Sequence, residues 1–192
     1  ELRGLIVAIQ GVGAVGYQVA RLLAEHGAHV VVADPDPGRT RRANLMLEAQ
    51  VVEPEAIYDV DADVFSPNAT GGILNDDTIP RLKAHAVVGG ANEQLLEPRH
   101  GEALHARNIL WAPDYVVNAG GLLSLLYETK QADEAGVEER VRLIGPRLAD
   151  IWHRANEEDT TPGVVADRIV EERLALGKRA KTESMRRTKY ED

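Results

Sequence analysis

The sequence predicts an α/β protein in which a doubly wound, mostly parallel sheet is followed by C-terminal helices. Two observations carry this prediction. Up to Ala112, short apolar runs alternate with segments of helical period, as in parallel sheets whose strands are joined by right-handed helical crossovers. The runs consist almost wholly of Val, Ile, Leu and Ala, which is typical of strands covered by helices on both faces. Beyond Pro113 only helical patterns follow, so we expect the sheet to end there.

The individual elements follow from this alternation. Apolar runs predict strands at Leu5–Gln10, His29–Ala33, Val51–Val52, Val64–Ser66, Ala86–Gly89 and Ile109–Ala112. Apolar residues three or four apart predict the intervening helices at Val15–Glu25, Arg39–Glu48, Thr78–Lys83 and Glu102–Ala106. Later helices are expected at Asn118–Lys130, Val137–Glu157 and Val164–Leu176. Thr161 is the expected N-cap of the last one, with Pro162 at its first position, where a missing N–H costs nothing.

Composition excludes several classes of function. The net charge of -9 would repel phosphate backbones and anionic lipids, so neither nucleic acid nor a membrane is an expected partner. No apolar run is long enough to span a bilayer, and we expect a cytoplasmic protein. The absence of Cys excludes disulfides and thiolate chemistry, and the histidines lack metal-ligand spacing, so no metal site is expected. Serine-nucleophile and P-loop motifs are also missing from the sequence.

A glycine-rich turn predicts dinucleotide binding. Gly11, Gly13 and Gly16 follow the first strand and open the first helix in a GxGxxG pattern, with Ala14 and Val15 between them. The first glycine permits a tight turn, the second allows backbone N–H groups to approach a pyrophosphate, and the third lets helix and strand pack closely. The helix N-terminus then offers unpaired donors to the phosphates. The position of this motif between strand and helix favours a Rossmann domain.

Asp34 is the candidate ribose acceptor. It ends the second strand at the place where a carboxylate accepts hydrogen bonds from an adenosine ribose. Because a carboxylate there would repel a 2′-phosphate, NAD is favoured over NADP. The nearby Arg39, Arg41 and Arg42 weaken that inference. The alternative is that Asp34 merely begins the following turn.

Three further loops lie at the carboxyl ends of predicted strands, where doubly wound sheets bind ligands. They span Phe65–Gly72, Gly89–Leu95 and Ala112–Gly121, and each combines small residues with an amide side chain. Such loops suit a flat nicotinamide ring, which needs close backbone approach and a few fixed polar groups. Taken singly, each is equally compatible with an ordinary strand-to-helix loop in which Asn forms a turn.

Together these segments resemble a known family. The succession VAIQGVGAVG, VVADPDPGR, LNDDTIPRLKAHAVVGGANEQL, LWAPDYVVNAGG and VADRIVEERL is similar to the second domain of the glutamate, leucine, phenylalanine and valine dehydrogenases, above all the leucine and phenylalanine members. The resemblance implies reversible, NAD-dependent oxidative deamination of an L-amino acid to a 2-oxo acid and ammonia. It places the lysine base in the first domain. The lysines of this chain match no catalytic position, so we expect no catalytic residue here.

The resemblance assigns roles position by position. Gly11, Gly13 and Gly16 match the phosphate loop, Asp34 the ribose acceptor and Arg39 a residue near the adenosine end. The nicotinamide side is matched by Asn68 and Ala69, and the reacting carbon by the supporting amides Asn92 and Asn118. The substrate side-chain pocket would receive Val117, Leu122 and Leu123, which are equally compatible with a core.

Two positions depart from the family pattern. Asn68-Ala69-Thr70 stands where the family has Cys-Ala-Leu or Cys-Ala-Met, and Asn92-Glu93 where it has Asn-Asn. The first change puts an amide beside the cofactor. The second puts a carboxylate near a site that must bind one, and Glu93 would repel a substrate carboxylate if it points inward.

We therefore expect residues 1–130 to form a Rossmann domain, residues 131–177 to form helices packing on or beyond it, and residues 178–192 to form a frayed polar tail. An N-terminal substrate domain is expected to be absent. The predicted function is NAD(H) binding within an amino-acid dehydrogenase, inactive alone, taking an L-amino acid only with the missing domain and forming a homo-oligomer. The alternatives are a stand-alone dinucleotide-sensing module and the cofactor domain of a different two-domain oxidoreductase.

Overall fold

The sheet is parallel throughout, as the sequence predicts. The computed structural model describes residues 2–188, with side chains described through residue 176. Within that range the strands are β1 Ile6–Gln10, β2 His29–Ala33, β3 Gln50–Val51, β4 Val64–Pro67, β5 Ala86–Val87 and β6 Leu110–Trp111. Their order across the sheet is β3-β2-β1-β4-β5-β6. The chain therefore leaves β1 in one direction for β2 and returns to the other side of it for β4, which confirms the doubly wound α/β fold.

Each face of the sheet is covered by apolar side chains. Strand alternation sends Val7 and Ile9 to one face, where they pack with Ala20 of the first helix. Ala8 points to the other face and packs with Phe65 and the remaining members of a second cluster. Because both faces are buried, the strands are mostly apolar, which explains their nearly uniform composition.

The helices are α1 Ala14–Glu25, α2 Pro37–Leu47, α3 Arg99–Ala106, α4 Asp114–Val117, α5 Gly120–Glu128, α6 Glu134–Arg142, α7 Ile144–Glu157 and α8 Pro162–Thr188. Thr161 Oγ1 accepts a 3.4 Å hydrogen bond from the Val164 N–H, which confirms the predicted N-cap. In the described residues no helix is both long and apolar enough to cross a membrane.

Several helix predictions are wrong in detail. The helix expected at Thr78–Lys83 is a single 3-10 turn, Ile79–Arg81, and an unpredicted 3-10 helix spans Pro54–Asp59. The helix expected at Val137–Glu157 is divided at Leu143. Pro146 explains this division, since proline has no N–H for the helical ladder and is tolerated in a first turn.

Two other boundaries differ at the C-terminal side. The helix expected at Asn118–Lys130 begins later, as α5 at Gly120, and the short helix α4 precedes it. The two helices are separated at Asn118 and Ala119, and α5 opens with two glycines, which have low helix propensity. Helix α8 continues through residues 178–188, where a frayed tail was expected, because this stretch is rich in the helix formers Ala, Glu, Lys and Arg. The last part of the expected tail, residues 189–192, lies outside the described residues.

The C-terminal helices adjoin the β6 edge of the sheet. Ile151 and Ala155 of α7 form a small core with Val165 and Ala166 of α8. The indole Nε1 of Trp152 donates a 2.9 Å hydrogen bond to the backbone oxygen of Trp111 in β6. This arrangement leaves the carboxyl ends of β1, β4 and β5, and the loops that follow them, free to form a site.

Candidate functional site

Two of the three loop glycines are required by the fold itself. Gly11 has φ +84, which a residue with a side chain rarely adopts, and a Cβ on it would lie 2.7 Å from the Cβ of Ala69. A Cβ on Gly16 would collide with the carbonyl oxygen of Gly11. These residues therefore let β1, α1 and the loop after β4 approach one another closely. Ala69 closes the turn from the opposite side.

Gly13 differs from both, because the fold does not need it. It is the N-cap of α1, and among the described atoms a Cβ there would approach only Arg39 Nη1, at 3.7 Å. It provides no side-chain hydrogen bond to the helix N-terminus. The exposed Ala14 and Val15 follow it. The space over the first turn of α1 therefore remains open to an anion, which is the arrangement that phosphate groups use.

Asp34 is fixed beside this turn. Its side chain is buried, and Oδ2 accepts a 2.9 Å hydrogen bond from the Val12 N–H while Oδ1 accepts one of the same length from Asp36. Arg39 Nη1 lies 3.5 Å from Oδ2. The turn-forming role that we considered as an alternative is thus present, and it also orients the carboxylate toward the phosphate loop.

Asn68 joins the loop after β4 to the loop after β5. Its Nδ2 donates to the backbone oxygen and to Oγ of Ser66, both at 3.0 Å. Its Oδ1 accepts a 3.0 Å hydrogen bond from the Gly90 N–H. Sequence reasoning missed Ser66 and Gly90. The glycine pair at 89–90 was a usable signal, since a Cβ on Gly89 would collide with Pro67, whereas Ser66 gave none.

Asn92 and Asn118 come together although 26 residues separate them. Asn118 Nδ2 donates a 2.6 Å hydrogen bond to Asn92 Oδ1. Since Asn92 follows β5 and Asn118 ends α4, this bond links two of the three predicted loops directly. One amide nitrogen and one amide oxygen of the pair stay available for a ligand.

A cleft of about 750 Å³ runs from α1 to this amide pair. It is lined at one end by Val15 and Val19 and at the other by Asn92, Val117 and Leu122. The cleft lies over the carboxyl ends of β4 and β5, beside the point between β1 and β4 where the strand order reverses and doubly wound sheets bind ligands. Of the three residues considered for a substrate pocket, Val117 and Leu122 therefore adjoin the cleft.

Leu123 does not adjoin the cleft. It lines a separate pocket of about 430 Å³ together with Ile144, Ile151 and Ala166, on the side of α5 that faces α7 and α8. The structure thus separates two neighbours that the sequence analysis grouped together. The alternative assignment of Leu123 to packing fits this placement.

Glu93 faces away from the cleft. It lines a different cavity of about 710 Å³ with Trp111 and Asp114, and its N–H donates a 2.9 Å hydrogen bond to Asp114 Oδ2. The backbone of Glu93 is left-handed, with φ +52. Its side chain therefore does not follow that of Asn92 into the cleft. Repulsion of a substrate carboxylate by Glu93, considered from the sequence, is therefore not expected.

Tyr115 connects the site to the last helix. Tyr115 precedes Asn118 by three residues in the chain. Its hydroxyl donates a 2.8 Å hydrogen bond to Asp167 Oδ1 of α8. Burial raises the pKa of the Tyr115 phenol, and the neighbouring Asp167 carboxylate raises it further. The phenol stays neutral at physiological pH and remains a donor. Among the described residues, no three metal-ligating side chains come together to hold an ion.

Comparisons with known proteins reveal similar sequences over most of the chain. The model of the glutamate/leucine/phenylalanine/valine dehydrogenase family matches residues 38–175. Leucine dehydrogenase of Geobacillus stearothermophilus is 39% identical over 182 residues, which cover 95% of this chain and 50% of that enzyme. Phenylalanine dehydrogenase of Thermoactinomyces intermedius is 44% identical over 176 residues, covering 91% and 48%.

A solved structure of an amino-acid dehydrogenase has the same fold as this chain. L-tryptophan dehydrogenase from Nostoc punctiforme superimposes with a TM-score of 0.88 and 41% identity, over 91% of this chain and 53% of that one. The chain therefore spans about half the length of the relatives it matches.

Proposed function

This chain belongs to the glutamate, leucine, phenylalanine and valine dehydrogenase family, and from that premise we propose that it forms the NAD-binding half of an L-amino-acid dehydrogenase. One observation carries the proposal: helix α1 has the open phosphate turn at Gly13 before its first residue, and the cleft that its Val15 and Val19 line ends at the amide pair Asn92 and Asn118. The turn suits the phosphates of a dinucleotide, and the amide pair suits its nicotinamide. The relatives are named for different amino acids, so the amino acid that this protein oxidises is to be identified by assay.

Residues at the adenosine end favour NAD over NADP. The Asp34 carboxylate is preoriented by two backbone N–H groups, and its free lone pairs can accept from ribose hydroxyls. A 2′-phosphate would bring like charge against a buried carboxylate, which is costly. Arg39 is half exposed and already paired with Asp34 and Asp36, so it offsets that repulsion only partly.

The nicotinamide end would be held by amides rather than by charges. The free nitrogen of the Asn92 side chain and the free oxygen of Asn118 complement a carboxamide, which both donates and accepts. When bound, NAD would supply the hydride acceptor of the reaction. The role of this chain is to bind and orient it, while Val117 and Leu122 contribute apolar surface where a substrate side chain would lie.

The proton-transfer groups are proposed to lie in another part of the protein. No lysine of this chain lines the cleft among its described residues, and the family resemblance assigns the base to a different domain. We accordingly propose that an L-amino acid binds only when that domain is present. Exposed apolar residues on α5 and α8, such as Leu122 and Leu174, support association with further protein, including a homo-oligomer.

Calorimetric titration with NAD and NADP tests the proposal. Saturable NAD binding is expected, with weaker NADP binding, and Asp34→Ala should remove the preference. Gly13→Ala should weaken NAD binding at least tenfold, because its Cβ would fill ligand space, and should cost at most about 1 kcal/mol of stability, because the Cβ touches no backbone and alanine is only a poorer N-cap. Gly145→Ala is the matched control, since a Cβ there meets no described atom within 4 Å.

Activity assays complete the test. The chain alone should form no NADH with leucine, valine, phenylalanine or glutamate. Turnover would place the base within this chain, and failure of the wild type to bind either nucleotide would refute the cofactor site. A stand-alone sensing module would bind NAD equally, and turnover on adding the substrate domain of a relative would exclude it.

A further inference from the structure

We propose that Asn68 is a positioning residue, which acts on the cofactor by holding the loop after β5 in place. This inference rests on the proposed NAD site and deepens it. The family resemblance assigns Asn68 to a direct contact with the nicotinamide side of the cofactor. Its side chain, however, already uses its groups on the protein: Nδ2 on Ser66 and Oδ1 on the Gly90 N–H.

The loop after β5 depends on the loop after β4 for its position. The Ala91 N–H donates a 3.0 Å hydrogen bond to the Pro67 carbonyl, and the Gly90 N–H donates to Asn68 Oδ1. Gly89 packs so closely on Pro67 that a Cβ would not fit. Two consecutive N–H groups of one loop are thus satisfied by two consecutive residues of the other.

The constraint continues to the ligand-facing amides. Asn92 comes two residues after Gly90, and its Oδ1 accepts from Asn118 Nδ2 at 2.6 Å. A path of hydrogen bonds and short chain segments therefore runs from Ser66 through Asn68 and Gly90 to the amide pair. Displacement of Gly90 would move Asn92, whereas Gly13 and Asp34 lie outside this path.

An asparagine suits this position because it both donates and accepts. Its amide nitrogen bonds two oxygens of Ser66 while its oxygen holds a backbone N–H. Alanine would leave the Gly90 N–H without this partner, and a partly buried donor without a partner favours movement of the loop toward water. Asp could keep the bond to Gly90 while losing the amide donor.

The role predicts a selective loss of affinity. Removing the Asn68 side chain should weaken binding at the nicotinamide end of the cleft and leave the adenosine and phosphate end unchanged. ADP-ribose is the suitable probe of the second end, since it carries the adenosine, the phosphates and a ribose but no nicotinamide. The ratio of NAD affinity to ADP-ribose affinity therefore isolates the effect.

The experiment is a calorimetric titration of the wild type, Asn68→Ala and Asn44→Ala with both ligands. Asn44 is the matched control, because its amide also donates to a backbone oxygen, that of Ala49, away from the cleft. Asn68→Ala should bind NAD about tenfold more weakly, because one hydrogen bond that holds the loop is lost. Its affinity for ADP-ribose should stay within twofold of the wild-type value. Asn44→Ala should keep both affinities.

Hydrogen exchange provides a readout that affinity alone does not. In the absence of nucleotide, the Gly90 amide should exchange faster in Asn68→Ala than in the wild type, while the Val12 amide, held by Asp34, should be unchanged. An Asn68→Ala variant with the wild-type ratio of affinities overturns the positioning role. A wild type that binds neither ligand refutes the NAD site itself, which is a different outcome.

The aspartate variant covers the case in which Asn68→Ala does not fold. In Asn68→Asp the bond to the Gly90 N–H can persist. The ratio of NAD to ADP-ribose affinity should then follow the exchange protection of the Gly90 amide. A ratio that falls about tenfold while that amide stays protected would overturn the proposal.

Discussion

The sheet region, residues 2–112, and the helices that follow it differ in what they bury. Phe65 and Leu74 are at most 1% exposed in the sheet region, whereas α5 carries Leu122 at 71% and Tyr127 at 57%. Within the described side chains, neither α5 nor α6 contains a fully buried residue. The sheet thus has a core of its own, while these helices display apolar surface. The buried core and the exposed apolar surface therefore lie in different parts of this chain.

A truncation in the sheet core should have the largest effect on stability. Phe65→Ala removes a ring that packs between Tyr58 and the β4 neighbours, and we expect a loss of about 3–5 kcal/mol in the free energy of unfolding. Urea unfolding followed by circular dichroism measures it. If the loss were below about 1 kcal/mol, the sheet would not be the stability core that the comparison requires.

A substitution at the junction should have an intermediate effect. Trp152→Phe keeps a ring on α7 but removes the N–H that bonds Trp111 O, so a loss of about 1 kcal/mol is expected. Trp111 is then the sole fluorophore of its kind and reports on the sheet, while circular dichroism reports on the helices. Coincident unfolding transitions by the two probes mean that the helices and sheet unfold together; separate transitions sharpen the division between them.

Acid should act on both regions through exposed ion pairs. Hydrogen bonds from Arg99 lower the pKa of Asp76 from 3.8 to about 2, and Arg168 lowers the pKa of Glu158 at the junction of α7 and α8. Because the folded-state pKa of Asp76 is depressed, its contribution to stability is present above pH 4 and disappears as the pH falls toward 2.

The pH effect is measured as the difference in unfolding free energy between the wild type and Asp76→Asn. The difference should shrink between pH 5 and 2.5 and stay constant above pH 5. Glu158→Gln is the matched variant in the helical region and should show the same sign. A difference that grows on acidification would contradict the assigned ion pairs.

The smallest effect on stability is expected on the exposed helix face. Leu122→Ser changes a side chain in contact with solvent, so the free energy of unfolding should change by less than about 0.5 kcal/mol. Self-association of the chain at high concentration should decrease, because the substitution interrupts apolar surface. Sedimentation velocity of the wild type, Leu122→Ser and the control Leu45→Ser on α2 separates this face from exposed leucines in general.

Much of the fold follows from alternation in the sequence. The strand positions agree within about two residues because fully buried parallel strands leave continuous apolar runs, and the glycine turn fixes where β1 meets α1. The 3-10 helix at Pro54–Asp59 was missed, since so short an element has no periodicity to detect.

The site was less predictable where a role depends on distant partners. Asn68 and Gly90 are 22 residues apart, and no local pattern reveals that the amide of one holds the backbone of the other. Leu122 and Leu123 are adjacent, but successive helical residues point about 100° apart, and here Leu122 adjoins the cleft while Leu123 adjoins the pocket facing α7 and α8. The direction of Glu93 was set by its left-handed backbone, which its residue type does not favour.

The indole of Trp152 also makes the two edges of the sheet differ in their ability to pair with a further strand. A sheet edge is a template on which a further strand can pair, and at β6 the Trp111 carbonyl is already occupied by that indole. At the opposite edge, β3 ends the sheet with Val51 exposed. Partly unfolded chains would therefore find a free strand edge at β3 rather than at Trp111, and a charged residue at Val51 should disfavour pairing there.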